Sequence, residues 1–323
     1  MRVVIKPSIV RILFIVVSLV CTSFQTSAKD LPNYNKVSGL SGNLTSIGSD
    51  TLASMLSLWG EAFKTYYPNV NVQVQASGSS TASPALTEGT AQFGPMSRPM
   101  RLKELEAFER EHGYKPTELK IAIDAIGIFV HKDNPIEGLT FAQIDSIFSS
   151  TLRCGSNVSK ESWFQLGVTS EWAKRRIQLF GRNSVSGTYG YFKKTALCGG
   201  DFKRNVNELP GSASVVQAVA SGINTIGYSG VGYRVSNAKR LPISVDGNNY
   251  VDANEETILS GEYPLSRFLY VYINKHPSKR LSLIETEFIR FIYSKQGQAV
   301  VEKDGYVAIS AELADDELKR IGL

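Results

Sequence analysis

Cysteine and histidine are scarce in this chain of 323 residues, with three of each. His112, His131 and His276 share no metal-ligand spacing, which argues against a zinc site. The sequence also lacks the Gly-x-x-x-x-Gly-Lys-Ser/Thr loop that cradles nucleotides and the Gly-x-Ser-x-Gly turn of many hydrolases. No motif pairs a nucleophile with a base, so we expect a binding protein that is not an enzyme and needs no metal or cofactor.

An excess of charge of one sign is also missing. The net charge is +5 at pH 7, and three of the cations lie within the first eleven residues, ahead of the apolar run Ile12–Val20. That run is shorter than the ~20 residues of a membrane span. A small-residue cleavage site follows at 26–28, so we interpret residues 1–28 as a signal peptide for export to the periplasm. The rest of the chain carries +2, which argues against nucleic acid as a partner.

Outside the proposed signal peptide only Cys154 and Cys198 remain. An even pair of cysteines in an exported protein is typical of a disulfide, because the periplasm is oxidising. Two free thiols are the alternative. We predict a bond between Cys154 and Cys198, worth about 4 kcal/mol for a loop of this length if it is unstrained.

Most of the remaining chain alternates strand-like and helix-like patterns. Valines at every second position of residues 70–74 indicate a strand, whereas apolar residues between 52 and 63 recur at helical spacing. Two long apolar strands, Ile121–Val130 and Phe268–Ile273, fit chain crossings between two domains. Residues 29–43 are polar and without periodicity, and we interpret them as a tether. This alternation predicts an α/β fold with parallel sheets.

Polar turns follow several strand-like segments, at residues 48–51, 78–81, 94–99 and 181–188. The carboxyl ends of parallel strands meet at one edge of a sheet, where α/β proteins bind their ligands. Hydroxyl groups, glycines that allow close approach and helix N-termini together favour an anion. We therefore predict an anion site at this edge. Ordinary helix caps are the alternative interpretation of each turn taken singly.

The turn at residues 181–188 has the most informative composition, Gly-Arg-Asn-Ser-Val-Ser-Gly-Thr. Arg182 supplies a permanent forked donor that suits tetrahedral oxyanions. Ser186 and Thr188 offer hydroxyl and backbone donors, and Gly187 lets the backbone approach a ligand closely. A helix follows this turn, so its N-terminus adds partial positive charge. The segment alone fits either an anion trap or an ordinary junction of strand and helix.

The order and spacing of these turns resemble the PstS-type periplasmic phosphate-binding proteins of ABC importers. The resemblance covers most of the chain after residue 28 and includes residues 78–80, the run Arg182–Thr188 and the strand end at 226–228. It implies a receptor that captures inorganic phosphate and delivers it to membrane-embedded permease subunits. We expect this receptor to be a monomer.

The resemblance also implies an architecture and a set of contacts. We expect a two-lobed α/β fold of the periplasmic-binding-protein type, type II-like, with hinge strands between the lobes. Lobe 1 would comprise residues 29–123 plus 267–323, and lobe 2 residues 124–266. The phosphate contacts carried over from the family are Ser79, Arg182, Ser186, Gly187 and Thr188.

Two positions depart from the family's pattern. Asp50 stands where the family has threonine, and Ser97 stands where it has aspartate. Phosphate at neutral pH carries a proton and needs one acceptor, whereas a site of donors alone would suit sulfate. We therefore predict that Asp50 accepts this proton, while Ser97 and Thr51 donate; a plain helix cap is the alternative for Asp50. Arg98 has three alternatives: a pair with Asp50, contact with the anion, or exposure to solvent.

Other functions stay open on the sequence alone. A receptor for sulfate, molybdate or another tetrahedral oxyanion is the nearest alternative, although the carboxylate of Asp50 would repel an unprotonated anion. A phosphatase is disfavoured because the sequence offers no metal ligands and no catalytic base. A surface or adhesive protein that reuses the fold is not distinguished by any motif.

Overall fold

The computed structural model describes residues 31–323, so the expected signal peptide lies outside the described residues. Within residues 31–323 the strands are β1 (Gly42–Ile47), β2 (Val70–Gln75), β3 (Phe93–Met96), β4 (Thr117–His131), β5 (Leu139–Thr140), β6 (Gln178–Arg182), β7 (Val206–Leu209), β8 (Thr225–Gly230), β9 (Ala238–Leu241), β10 (Ile243–Ser244) and β11 (Ser266–Ile273). The helices of this range are α1 (Ala53–Tyr66), α2 (Ala82–Thr87), α3 (Leu102–His112), α4 (Phe141–Phe148), α5 (Gly187–Thr195), α6 (Ser212–Ser221), α7 (Glu255–Leu259), α8 (Leu283–Ile292), α9 (Lys295–Lys303) and α10 (Ala311–Arg320). None of them is long and apolar enough to cross a membrane.

One sheet runs through the molecule, in the order β2-β1-β3-β11-β4-β8-β6-β7, and β9 pairs with β4 beside this path. The first half of β4 pairs antiparallel with β11, and its second half pairs antiparallel with β8 and β9. β1 lies parallel to β2 and β3, and β6 lies parallel to β7 and β8. β4 therefore joins two groups of parallel strands, and the α/β fold expected from the sequence is confirmed.

Apolar side chains are buried in two large clusters, one in each lobe. The lobe 1 cluster is drawn from residues 31–122 and 269–321 and packs helices α1 and α8 around Trp59. The lobe 2 cluster lies mostly between residues 125 and 265, around Trp163. Both tryptophans are fully buried, so they stabilise the cores. The residue boundaries of the lobes given above stay a prediction.

The tether expected at residues 29–43 is wrong for the described part of this segment. Leu31, Tyr34 and Leu40 are buried in the lobe 1 cluster. The hydroxyl of Tyr34 donates to Glu287 Oε2 at 2.8 Å and shares a hydrogen bond of 2.6 Å with the Tyr67 hydroxyl. A few apolar side chains on an irregular backbone produce no periodicity, so the sequence pattern could not reveal this packing.

Residues 93–99 also differ from expectation, because their first part is a strand and not a turn. β3 covers Phe93–Met96 and lies between β1 and β11. The sequence pattern does not indicate this strand, because Gly94 and Pro95 are poor strand formers. Pro95 still takes part in the fold through its carbonyl oxygen, which accepts from Ser49 N at 2.8 Å.

The predicted disulfide between Cys154 and Cys198 is confirmed, with a Cα–Cα distance of 5.3 Å. It connects the loop after α4 to the chain just beyond α5. The backbone N–H of Cys154 donates to Asp145 Oδ2 at 2.8 Å, which fixes the loop against α4. The disulfide thus holds α5, whose first residues belong to the predicted anion site, against the rest of lobe 2.

Loss of this disulfide should lower stability and leave the ligand contacts in place. The two cysteines are 44 residues apart, so the double variant Cys154→Ser, Cys198→Ser should lose about 4 kcal/mol of unfolding free energy. Urea unfolding of the oxidised protein and of the variant measures this difference. Equal midpoints and slopes for the two proteins would contradict the prediction.

Candidate functional site

Polar turns from both lobes meet across the cleft between them. The turns follow the carboxyl ends of β1, β2, β3 and β6, as the parallel arrangement requires. The backbone N–H of Ser80 donates to the Val185 carbonyl at 3.2 Å, which links the second of these turns to the turn after β6. The hydroxyls of Thr51 and Thr188 are 3.0 Å apart, which links the first turn to α5. The two lobes are therefore in contact through the predicted site residues.

Two glycines in lobe 1 allow close packing at the polar turns, Gly48 within lobe 1 and Gly78 towards lobe 2. A Cβ atom on Gly48 would lie 2.2 Å from the Pro95 carbonyl oxygen, so only glycine fits between β1 and β3. Gly78 has a φ of +115° and faces Val185, whose carbonyl oxygen would lie 2.9 Å from an added Cβ. Any other residue at Gly78 would strain the backbone and push the lobes apart.

Three buried serines of lobe 1 form what we call the serine cluster: Ser49, Ser79 and Ser97. The Ser49 hydroxyl donates to Ser97 Oγ at 3.1 Å, and the hydroxyls of Ser79 and Ser97 are 3.2 Å apart. The backbone N–H of Ser97 donates to Ser79 Oγ at 3.1 Å. Ser79 and Ser97 were predicted as site residues, whereas Ser49 was missed. The cluster offers an anion neutral hydroxyl donors whose positions are fixed by one another.

The N-terminus of α5 lies directly against the serine cluster. Gly187 is the first residue of this helix, and a Cβ atom there would lie 2.3 Å from Ser79 Oγ and 2.5 Å from Ser97 Oγ. Ser186 caps the helix, since its hydroxyl oxygen accepts from Thr188 N at 3.1 Å. The positive end of the helix dipole and the serine hydroxyls therefore face the same small space, which favours an anion there.

Arg182 lies at the end of β6 and is fully buried. Its Nη2 donates to the Pro210 carbonyl at 2.7 Å and lies 3.2 Å from Asp50 Oδ2, while Nη1 donates to the Ser212 hydroxyl. The Nε atom has no hydrogen-bond partner among residues 31–323. Burial lowers the pKa of Arg182, and the carboxylate of Asp50 opposes this shift. A buried cation with one unused donor is well suited to an anionic ligand.

Asp50 occupies a different environment from the one expected of a plain helix cap. It begins a short 3-10 helix, Asp50–Leu52, but its Oδ2 accepts from the backbone N–H of Ser212, at the start of α6 in lobe 2, at 2.8 Å. With its ion pair to Arg182, the carboxylate makes two contacts across the lobes. The cap alternative is therefore wrong for the helix of Asp50 itself. Its role as acceptor of a ligand proton stays a prediction.

Two of the alternatives considered for Arg98, a pair with Asp50 and exposure to solvent, are wrong, whereas contact with the anion stays an alternative. Its guanidinium forms a forked pair with Glu104, with both N–O distances at 2.7 Å, and is buried. Burial of Glu104 opposes ionisation, but its hydrogen bonds with Arg98 and with the Arg101 N–H lower its pKa below the ordinary value. The Nη2 atom of Arg98 also donates to Ser80 Oγ at 3.3 Å. Arg98 thus fixes the second polar turn through its hydrogen bond to Ser80.

Several residues near the site were missed by sequence reasoning. Ser212 begins α6 after Pro210 and Gly211, which repeats the pattern of a polar turn before a helix, so the same signal could have found it. The Tyr228 hydroxyl accepts from the Arg182 N–H at 3.3 Å, and its ring stacks on Phe192 at a centroid distance of 3.9 Å. The aromatic stack therefore holds the backbone of Arg182 in place.

A buried ion pair, Asp124 with Arg267, was also missed. Arg267 Nη2 donates to Asp124 Oδ2 at 2.7 Å and to Thr188 Oγ1 at 2.9 Å. Burial raises the pKa of Asp124, and the charge of Arg267 opposes the increase. Asp124 is the only charge in the apolar run Ile121–Val130, and Arg267 is the only charge in β11. That unusual placement is the signal a sequence search could have used.

The next feature of the site is its lack of metal ligands among the described residues. Among residues 31–323, no group of three or more histidine, cysteine, aspartate or glutamate side chains is arranged to hold a metal ion. The donors of the site are hydroxyls, backbone N–H groups and one guanidinium. Such a set suits a small oxyanion held without a metal bridge.

Comparisons with known proteins place the chain in a family. The family model described as PBP superfamily domain matches residues 35–296, so the chain is a binding protein of this superfamily. A phosphate-binding protein PstS from Pseudomonas aeruginosa is 58% identical over 294 residues, which are 91% of each chain. PstS from Staphylococcus haemolyticus is 30% identical over 285 residues, which are 87% of this chain and 85% of its own. The chain belongs to the PstS family of phosphate-binding proteins.

Solved structures share the fold. A substrate-binding protein from Clostridium perfringens, solved with bound phosphate, superposes with a TM-score of 0.70 at 27% identity, covering 83% of this chain and 100% of its own. An ABC-type phosphate transport receptor from Vibrio cholerae has a TM-score of 0.63 at 21% identity, covering 82% and 100%. The two-lobed periplasmic-binding-protein fold expected from the sequence is confirmed.

A methyl group at Gly187 should prevent the lobes from coming together. Gly187→Ala would place a carbon 2.3 Å from Ser79 Oγ, and overpacking of this kind costs about 1–3 kcal/mol. We expect phosphate affinity to fall by roughly 10- to 100-fold, with an unchanged melting temperature of the free protein, because alanine suits a helix. Calorimetric titration measures the affinity.

Gly190→Ala is the matched control for this prediction. Gly190 lies in the same helix, and an added Cβ would come no closer than 3.4 Å to Arg101 Nη2. This variant should bind phosphate almost as well as the wild type. Similar losses in both variants would show that the helix, and not the contact with the serine cluster, is responsible.

Proposed function

We propose that this protein is a periplasmic receptor that binds inorganic phosphate between its two lobes and delivers it to the permease subunits of an ABC importer. The observation that carries the proposal is the cluster of buried donors from both lobes around Gly187, with Arg182 beside it. Membership of the PstS family supports phosphate as the ligand. Periplasmic location, a monomeric state and the absence of catalysis, metal and cofactor belong to the same proposal.

The proposed contacts come from both lobes, so binding would draw the lobes together. They are Asp50, Thr51, Ser79 and Ser97 from lobe 1, and Arg182, Ser186, Gly187 and Thr188 from lobe 2. Lobe 1 would comprise residues 29–123 plus 267–323, and lobe 2 residues 124–266, with rotation about β4 and β11. Most donors in this set are neutral dipoles, so a dehydrated anion would not bring several unpaired cations into the interior.

Removal of the Arg182 guanidinium should weaken phosphate binding strongly. Truncation of one partner of a buried charge pair costs about 2–5 kcal/mol, and Arg182→Met keeps most of the side-chain volume. We expect calorimetry to give a dissociation constant at least ~30-fold higher for phosphate. Arg176→Met, which removes a guanidinium with a 79% exposed side chain from the same lobe, is the matched control and should bind normally.

The same titrations test the function itself. Wild-type protein should bind phosphate, bind sulfate far more weakly and show no hydrolysis of a chromogenic phosphate ester. Absence of phosphate binding by the wild type would refute the proposal. Preferred binding of sulfate would support the alternative of a receptor for another oxyanion.

Asp50 is proposed as the acceptor for the proton that phosphate carries and sulfate lacks. Its Oδ2 is taken by Ser212 N and Arg182, which leaves Oδ1 for the ligand. A site built around one required hydrogen bond can reject the analogue that lacks it by ~10⁴–10⁵. This geometry would let one carboxylate both balance Arg182 and discriminate between the anions.

Asp50→Asn should therefore reduce the discrimination between phosphate and sulfate. The amide can donate to either anion, so we expect moderately weaker phosphate binding, stronger sulfate binding and a ratio that falls by at least ~10²-fold. Competition calorimetry with both anions measures the ratio. Asp133→Asn, at an aspartate whose side chain is 67% exposed, is the control. An unchanged ratio in Asp50→Asn would assign the acceptor to another group.

A further inference from the structure

A buried ion pair lies where the two lobes share their strands. Asp124 on β4 and Arg267 on β11 are direct cross-strand partners. Arg267 donates twice to Asp124 Oδ2, from Nε at 3.0 Å and from Nη2 at 2.7 Å, and the two side chains are 3% and 0% exposed. A buried pair of this kind gains little net stability, because desolvation offsets most of the attraction. Stability alone is therefore a weak reason for two charges in these apolar strands.

The pair has a third member in lobe 2. The Nη2 atom of Arg267 also donates to Thr188 Oγ1 at 2.9 Å. A guanidinium has no acceptor, so the Thr188 oxygen accepts and its own hydrogen must point to another group. The hydroxyl of Thr51 lies 3.0 Å away on the opposite side of the cleft. Arg267 thus occupies one acceptor position of the Thr188 hydroxyl and leaves its hydrogen free to donate across the boundary between the lobes.

Arg267 acts on Thr188 through a direct hydrogen bond. Its guanidinium is held by Asp124 and lies over the ring of Tyr191 at 5.3 Å from the centroid. The Thr188 hydroxyl lies between the guanidinium and Thr51, in the second residue of α5. A fixed donor direction needs no reorganisation when an anion arrives, which strengthens binding.

We propose that Arg267 is a positioning residue that fixes the Thr188 hydroxyl as a donor to the bound anion, and that Asp124 holds Arg267 in this orientation. This inference rests on the proposed function, because it takes Thr188 as a phosphate contact. It adds a specificity element outside the polar turns, on the strands that join the lobes. A hydroxyl whose hydrogen is left free to donate favours an unprotonated phosphate oxygen at this position.

A double-mutant cycle tests whether Arg267 acts through Thr188. Arg267→Met combined with Asp124→Asn removes the pair without leaving a buried charge, and Thr188→Val removes the hydroxyl while keeping its shape. Inorganic phosphate is titrated by calorimetry into the wild type, both variants and their combination. We expect each variant to bind about 10- to 100-fold more weakly, as for the loss of a hydrogen bond that involves a charged group. The combination should be no weaker than Thr188→Val alone.

Two results of this cycle would overturn the inference. Wild-type affinity in the folded Arg267→Met, Asp124→Asn variant would mean that the pair has no role in binding. Losses that multiply in the combined variant would mean that Arg267 acts through its charge at a distance and not through Thr188. Failure of the wild type itself to bind phosphate would refute the proposed function together with this inference, whereas the two results above leave the proposed function intact.

Two further variants separate positioning from loss of structure. Glu287→Gln with Arg290→Met removes another ion pair with a buried carboxylate, on α8 of lobe 1. It should leave phosphate affinity unchanged, and an equal loss would overturn the inference. If the variant of the Asp124 pair does not fold, Arg267→Lys keeps the charge but not the fork that reaches both partners. It should still bind phosphate at least ~5-fold more weakly, and normal affinity would overturn the inference.

Discussion

The pairing of β4 with two different sets of strands is the constraint on which the rest of the molecule depends. From Thr117 to Ala125 this strand pairs with β11 of lobe 1, and from Ile126 onward it pairs with β8 and β9 of lobe 2. One continuous backbone therefore sets the distance and angle between the two groups of parallel strands. Because their polar turns lie at the strand ends, β4 also determines how the serine cluster faces the N-terminus of α5.

The contacts between the lobes balance charge at short range. Arg182 is opposed by Asp50, and Arg267 by Asp124, so each buried cation has a carboxylate from the other side of the cleft or from the neighbouring strand. The remaining groups are hydroxyls and backbone N–H donors. Buried polar groups are costly when they lack partners, and this arrangement satisfies most of them with each other while leaving some donors, such as Arg182 Nε, unused.

Local sequence patterns predicted much of the fold and the polar turns that form the candidate site. Period-two and helical spacing located β2 and α1, and long apolar runs located the crossing strands. Strand ends rich in serine, glycine and threonine located the polar turns. The pattern could not identify partners chosen by tertiary packing. Arg98 pairs with Glu104 and not with Asp50, and Arg267 reaches Thr188 from 79 residues away.

Two other predictions were wrong because packing against neighbouring elements sets the backbone conformation. The sequence pattern did not predict β3, because Gly94 and Pro95 are poor strand formers. The strand still forms, since its neighbours β1 and β11 supply the hydrogen bonds. The segment at residues 31–41 packs three buried side chains without regular structure. In both places the sheet and the lobe 1 cluster, and not local preference, determine the conformation.

The lobe 1 cluster is divided between two distant stretches of chain, one early and one late in the sequence. Residues 31–122 and 269–321 build this cluster, and nearly all of the lobe 2 cluster lies between them. A chain that becomes available from its N-terminus therefore presents every strand of lobe 2 before β11, α8 and α9 arrive to complete lobe 1. Asp124 lacks its ion-pair partner until β11 pairs with β4, because Arg267 lies on β11. The C-terminal stretch therefore brings the cation to the boundary between the lobes, and a chain truncated before residue 266 would lack both Arg267 and the C-terminal part of the lobe 1 cluster.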